Sequence, residues 1–226
     1  GSNNNYSMSF NGINDYVNCG SSVSLELNTS FTISLDIYPT SFGTSGNDWE
    51  VILNKEGKYE IGLRPDGQIL VAIANTIPGW SETNTGIFLN LNEWSNFTFT
   101  YNNAYLKFYS NGILINTLSA SGAITDAPGH ENEDQLFFGW REHYVYTGNG
   151  RDFNGYLDNI QIWDIENNIN EIQQYIDCPP TGSESGLIGY WNFEQGTGTT
   201  AIDQTSNGNN GTINGATYDT NVPVQS

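Results

Sequence analysis

The chain has 226 residues, six Lys and Arg against 25 Asp and Glu, a formal charge of -19, 25 glycines and 13% aromatic residues. So acidic a surface repels a phosphate backbone, and no five-residue window is basic, which excludes nucleic acid and anionic membranes as partners. No stretch approaches the roughly 18 consecutive apolar residues of a membrane helix, so no membrane insertion is expected, and one core suffices for this length. Gly1-Ser2 reads as the remnant of a tag, with 1–5 as scar and linker, 6–218 as a single domain and 219–226 as linker. Phe31 to Tyr38 alternates apolar and polar residues, placing Phe31, Ile33, Leu35 and Ile37 on one face, as in a half-buried antiparallel strand. The segments 49–55, 58–64 and 68–74 repeat the pattern, joined by Glu56-Gly57 and Pro65-Asp66-Gly67, so three strands meander. A second meander covers 94–101, 105–110 and 113–118, with Asn102-Asn103 and Asn111-Gly112 as tight turns. Two more strands are expected at 135–140 and 155–163.

One helical signal follows, over 166–176, with Asp164 as a candidate N-cap, and it is expected to cap an open end of the fold. Residues 178–186 read as a linker, 187–193 as a last strand, and the Gly-, Thr- and Asn-rich remainder to Thr217 as a loop. A dozen short strands with one short helix mean an all-β fold, a two-sheet antiparallel sandwich of jelly-roll type. Cys19 and Cys178 fit neither a CxxC nor a zinc spacing. Either they form one long-range disulfide or both are free; the disulfide is the expectation, because each sits at a chain end of a single sandwich and closing so long a loop stabilises the fold. Sequons at Asn5, Asn28, Asn96 and Asn210 are what chance gives in so Asn- and Thr-rich a chain.

Several segments resemble the concanavalin A-like superfamily of jelly rolls, in its laminin G and pentraxin-like branch. Met8 to Val17 is similar to L-x-F-x-G-x-x-D-Y-V, 49–67 to the family's central hairpins, and Phe153 to Asp164 to F-x-G-x-I-D-E-V-x-I-W-N. The resemblance covers about residues 7–176. The segment 186–211 resembles one that commonly begins such a domain. Here it comes last, so it either returns beside the first strand, as in a permuted sandwich, or starts a following repeat; the permuted reading leaves no orphan apolar strand.

Hard cations need several oxygens on rigid loops, and three Asp-bearing turns offer them. The resemblance implies a structural calcium ion near these turns, with Asp15, Asp158 and Asp203 as ligands and the carbonyls of Asn11 and Gly208 completing the shell. The alternative is that these residues only cap their own turns. In pentraxin relatives the loop matching 141–143 holds calcium ligands; here Arg141 and His143 intrude, so that second site is not expected.

Sugars stack C–H faces on aromatic rings and engage polar side chains through their hydroxyls. The 140–151 loop fits this best, with Trp140, Arg141, Glu142, Tyr144 and Tyr146 as candidate ligand-binding residues and Trp80 as a flanking platform. The alternative is that its rings form a lid on the core. Trp94, Trp163 and Trp191 sit in strand patterns and are expected in the core. The E-x-D-x-x-E strand of jelly-roll glycosidases is missing, Glu131 to Asp134 reads as a solvated loop, and the contiguous Arg141-Glu142-His143 places neighbours on opposite faces, unlike a lyase site. The sequence thus predicts an extracellular, calcium-stabilised, non-catalytic module binding a polysaccharide or glycan, neutral or calcium-bridged. A protein-binding or adhesin module is the first alternative and a lyase or glycosidase the second.

Overall fold

A computed structural model describes residues 4–43, 49–74, 76, 79–130, 132–142 and 152–224. In its first half the chain forms β1 (Ser7–Asn11), β2 (Tyr16–Asn18), β3 (Phe31–Pro39), β4 (Glu50–Lys55), β5 (Tyr59–Leu63), β6 (Gln68–Ile73), β7 (Thr83–Phe88) and β8 (Ser95–Tyr101). There follow β9 (Tyr105–Ser110), β10 (Ile113–Ser119), β11 (Leu136–Phe138), β12 (Asn154–Trp163), the helix α1 (Ile169–Asp177), and β13 (Leu187–Trp191), β14 (Thr200–Ala201), β15 (Gly211–Asn214) and β16 (Thr217–Asp219).

Two antiparallel sheets make a sandwich. Sheet A runs β10-β9-β8-β3-β12-β1-β16, with β13 also paired to β12, and sheet B runs β14-β15-β2-β11-β4-β5-β6-β7. Alternation decides which side chains enter the core. On β3, Phe31, Ile33, Leu35 and Ile37 are fully buried in it, opposite Phe97 and Phe99 of β8 in the same sheet, while Thr32, Ser34 and Asp36 face outward. Sheet B contributes Val17, Leu53, Tyr59, Ile61, Leu63, Leu136 and Phe138. The turn at Asn111-Gly112 has φ of 48° and 72°, the double left-handed geometry that tight hairpins require and that Asn and Gly tolerate.

Several expectations are corrected. The helix starts three residues later than expected, because Asn168, not Asp164, caps it: the Asn168 side chain accepts from the Glu171 N–H while the Glu171 carboxylate accepts from the Asn168 N–H. It does not close an end of the sandwich but lies on the outer face of sheet A, where Tyr175 packs 4.8 Å from Trp163 and Gln173 donates to the Gly112 carbonyl. The last segment is not an open loop. β13 pairs with β12, β15 with β2 and β16 with β1, and Trp191 and Phe193 are fully buried in the core.

The Cys19–Cys178 disulfide is absent. Cys19 is buried among Val17, Ala201 and Gly211, whereas Cys178 is exposed at the C-cap of α1, so both thiols are free. Burial, with the Asp203 carboxylate nearby, pushes the Cys19 thiol well above its ordinary range, which keeps it unreactive. Trp163 and Trp191 are buried as expected, but Trp94 is not a core residue: it is half-buried at the entrance to β8 and its Nε1 donates to Asn221.

Candidate functional site

The outer face of sheet B gathers most of the expected ligand-binding residues. On β2 and β11 the core takes Val17, Leu136 and Phe138, so Tyr16 and Phe137 point the other way. Gly139, at φ 80°, ends β11 and turns the chain so that Trp140 folds back onto this face. Its indole stacks on Tyr16 at 5.1 Å and 25° and meets Phe137 edge-on at 5.0 Å, leaving the ring half-exposed.

Arg141 and Glu142 anchor the loop rather than reaching outward. Arg141 donates through Nε to Glu56 Oε2 at 2.7 Å and through a terminal nitrogen to Glu56 Oε1 at 2.9 Å, and its Nε lies 3.4 Å from Glu60. This two-pronged pairing fixes the guanidinium more rigidly than a single contact. Asn54 Nδ2 donates to both carboxylates, at 2.9 and 2.7 Å, and Asn54 Oδ1 accepts from the Glu142 N–H. Glu142 in turn accepts from the backbone and side-chain nitrogens of Gln135 at 2.9 and 2.8 Å. Glu56 is wholly buried and Glu60 nearly so. Desolvation pushes Glu60 upward, Arg141 pulls it back, and Glu56 pushes it up again.

Two further indoles flank this floor. Trp49 hydrogen-bonds Glu60 and lies against β5 at Gly62, where a Cβ would come within 2.6 Å of its Cδ1; glycine is what admits the ring. Trp80 stands on the other side, 6.4 Å from the His130 ring. His130 Nδ1 is 2.7 Å from Glu133 Oε2 and 3.3 Å from Glu56 Oε1. Glu56, His130 and Glu133 are the one set of three potential metal ligands that converge among the described residues. With Arg141 already on both Glu56 oxygens, a second positive charge there would meet repulsion, so the set is part of an ion-pair network. Tyr144 and Tyr146 lie outside the described residues. Trp49, Tyr16, Asn54, Glu56, Glu60 and His130 were not singled out from the sequence. Of these only Trp49 carried a signal, an indole at the very start of a strand.

The expected calcium ligands do not share a shell. Asp203 is consumed by its own loop, accepting from the N–H groups of Tyr190, Thr205 and Asn209, at 2.9–3.0 Å, and from the Thr205 hydroxyl. Gly208 is simply part of that loop. Asp158, fully buried on β12, accepts from Asn4 and from the Asn159 N–H. Asp15 accepts from the N–H, not the carbonyl side, of Asn11 at 2.9 Å. Asp15 is nevertheless part of another acidic rim. Desolvation and Asp15 push Asp152 up to about 6, and desolvation, reinforced by Asp152, pushes Glu50 up to about 7. Asp152 is 8% exposed.

The sequence profile of the concanavalin A-like lectin/glucanases superfamily matches residues 11–173. No curated protein sequence matches the chain. Among solved structures, the chain is similar to a candidate carbohydrate-binding protein from Bacteroides ovatus, at 21% identity and a TM-score of 0.75 over 97% of this chain and 61% of that one. It is also similar to domain 4 of an extracellular arabinanase from Geobacillus stearothermophilus, solved in complex with arabinotriose, at 15% identity and TM-score 0.53 over 74% of this chain and 75% of that one. A heptameric pentraxin from Limulus polyphemus matches at 13% identity and TM-score 0.53, over 81% of this chain and 88% of that one. At these identities the likeness is one of fold.

Proposed function

Since the chain belongs to the concanavalin A-like lectin/glucanases superfamily, we propose that it is a non-catalytic, lectin-like module that binds a neutral glycan on the outer face of sheet B in an extracellular setting. The observation that carries this reading is that three indoles border one rigid polar floor of Arg141, Glu56, Glu60 and Asn54: Trp140 adjoins Arg141, Trp49 hydrogen-bonds Glu60, and Trp80 lies beside His130. Indoles offer flat surfaces for sugar C–H faces, and fixed polar groups beside them set orientation. Neutrality is supported by charge: Lys55, Lys58, Lys107 and Arg141 each have a carboxylate oxygen within 2.9 Å, and Arg64 has one at 3.8 Å, which disfavours a sulfate or uronate. Binding without catalysis is supported at the floor itself, where Glu56 is wholly covered and both its oxygens are taken by Arg141. The sugar-binding descriptions of the Bacteroides ovatus and Geobacillus stearothermophilus relatives support the same class.

The test is a binding screen of the protein against neutral, uronic and sulfated polysaccharides, with reducing-end release followed in parallel. A neutral polysaccharide should bind, Trp49→Ala and Trp140→Ala should each weaken it, and no reducing ends should appear. Release of reducing ends would overturn the non-catalytic part. A blank on every polysaccharide with the protein folded would turn the reading toward a protein-binding module, for which the exposed Ile113, Leu114 and Ile115 along the edge strand β10 are the feature in hand.

Calcium stabilisation belongs to the same proposal, relocated to the rim of Asp15, Asp152 and Glu50. The Asp152 carboxylate has no hydrogen bond or ion pair among the described residues and stands in electrostatic reach of both Asp15 and Glu50; the oxygens of the three do not converge on one point, so a hard divalent ion would have to draw them together. Added calcium should raise the unfolding temperature, and Asp152→Asn should remove the increment; equal unfolding temperatures in calcium and in EDTA would sink this element alone.

A further inference from the structure

The outer face of sheet A holds a second concavity, far in sequence from the indole ring. It measures about 270 Å³ and is bounded by Trp94 and Ser95 before and at the start of β8, by Asn111 of the β9–β10 turn, by Ile176 of α1 and by residues 223–224. Asp36, Asn96 and Asn159 complete its lining. The size suits one small molecule.

Asp36 is held rigidly. Its Oδ1 accepts from Asn96 Nδ2 and its Oδ2 from Asn159 Nδ2, both at 2.9 Å. Those amides are fixed in turn, Asn96 by Ser34 and Thr98, and Asn159 by the Tyr190 hydroxyl at 3.2 Å. Every donor to Asp36 is therefore neutral. No described Lys, Arg or His pairs with it, and its direct cross-strand partner in the β3–β12 ladder is a second carboxylate, the buried Asp158. Burial, reinforced by Asp36, holds Asp158 well above the ordinary carboxylate range, so Asp36 carries the charge of the pair, and a cation in the cavity supplies the counter-ion it lacks. Trp94 supplies an aromatic wall, which attracts a cation as well as C–H groups, and Ser95 and Asn111 bring hydroxyl and amide groups to the rim.

We propose that this pocket binds the protonated amine of a small hydroxylated ligand, an amino sugar or an amino alcohol, with Asp36 as its counter-ion and Trp94 as its wall. Burial pushes Asp36 up to about 6, which still leaves it mostly ionised at pH 7. An anionic ligand is repelled from this site, and an uncharged sugar leaves Asp36 without a counter-ion. The pocket is independent of the glycan face, since none of its lining residues belongs to sheet B.

The experiment is calorimetric titration of the protein at pH 7 and low salt with glucosamine, N-acetylglucosamine, ethanolamine and N-acetylethanolamine. At least one free amine should bind, its acetylated counterpart should bind at least tenfold more weakly, and Asp36→Asn should weaken the amine at least tenfold. Glucosamine alone binding identifies an amino sugar, and ethanolamine alone an amino alcohol. Asp36→Asn turns one of two accepting oxygens into a donor facing Asn96 or Asn159, so its unfolding temperature is measured alongside; should it fail to fold, Trp94→Ala gives the second readout, an affinity loss of threefold or more. Trp49→Ala on sheet B should leave amine binding unchanged. Equal binding of free and acetylated amines, full binding by folded Asp36→Asn, or no binding of either amine overturns the proposal.

Discussion

The two outer faces of the sandwich handle buried charge in opposite ways. On sheet B the carboxylates Glu56 and Glu60 share one guanidinium, and the network is closed by Asn54 and His130. On sheet A the carboxylates Asp36 and Asp158 face each other with only amides and a backbone N–H as donors. A chain with six Lys and Arg among 25 acids cannot give every buried carboxylate a counter-ion. Where it supplies one, the result is a rigid floor under aromatic rings; where it does not, the result is a carboxyl group that titrates late and can receive a cation from outside.

The largest expected effect comes from opening the closed network. Arg141→Met takes from Glu56 and Glu60 the guanidinium they share, and breaking a buried pair this way costs about 3–5 kcal/mol. Thermal unfolding should drop by on the order of 10 °C, and glycan binding should go with it. A drop within error of wild type would mean that the guanidinium does not hold this face together.

Next in size is the pH dependence of the unpaired acids. Asp36 and Asp152, pushed up to about 6, and Glu50, pushed up to about 7, bind protons more tightly in the folded chain than in the unfolded one. Below about pH 4 they are protonated in both states and cost nothing. As pH rises from about 4 to 7 the unfolded chain ionises first, so folding stability is lost, by a few kcal/mol in all. Glu26 and Glu184, held below the usual carboxylate range by hydrogen bonds and, for Glu26, two lysines, oppose this only at the acid end. Denaturant unfolding at pH 5 and 7.5 should show the acid sample more stable, and Glu50→Gln with Asp152→Asn should flatten the difference. A profile that rises from pH 5 to 7.5 would contradict the assignment.

A smaller effect separates binding from stability on sheet B. Trp49→Ala should weaken glycan binding about tenfold, or roughly 1.4 kcal/mol, as expected of an aromatic anchor. Trp140→Ala should do the same while also losing its stack on Tyr16, for about 1 kcal/mol of stability. The smallest effect is on the cysteines: Cys178 should react with iodoacetamide in the folded protein, Cys19 only after unfolding, and reductant should leave the unfolding temperature unchanged.

The sequence reveals the parts of this molecule that depend on near neighbours. The alternation of Phe31 to Ile37 and the Asn111-Gly112 turn are local, and both stand in the structure as read. The helix start is less legible because Asp164 and Asn168 are both good caps, and what separates them is the Glu three residues after Asn168. β14, β15 and β16 span two to four residues each, too few for a period to show, and exist because longer strands lie beside them. The floor of the site was hidden for another reason. Glu56 and Arg141 are 85 positions apart, and nothing in either segment names the other. Asp15, Asp158 and Asp203 look alike as letters, and only the donors around each distinguish a turn organiser from a member of an acidic rim.

The pairing of the two ends of the fold also sets the order of events on the ribosome. Ser7 of β1 lies opposite Asp219 of β16, and Tyr16 of β2 opposite Asn214 of β15. At about 5–20 residues per second, the first strands wait roughly 10 to 40 seconds for these partners to be made. Such non-local closure is the topology that folds slowly. Until β12 is made, β1, carrying Met8 and Phe10, has both edges open, and after that one. A nascent chain stalled before residue 211 should be trapped by holdase chaperones and cut by protease where the released protein resists.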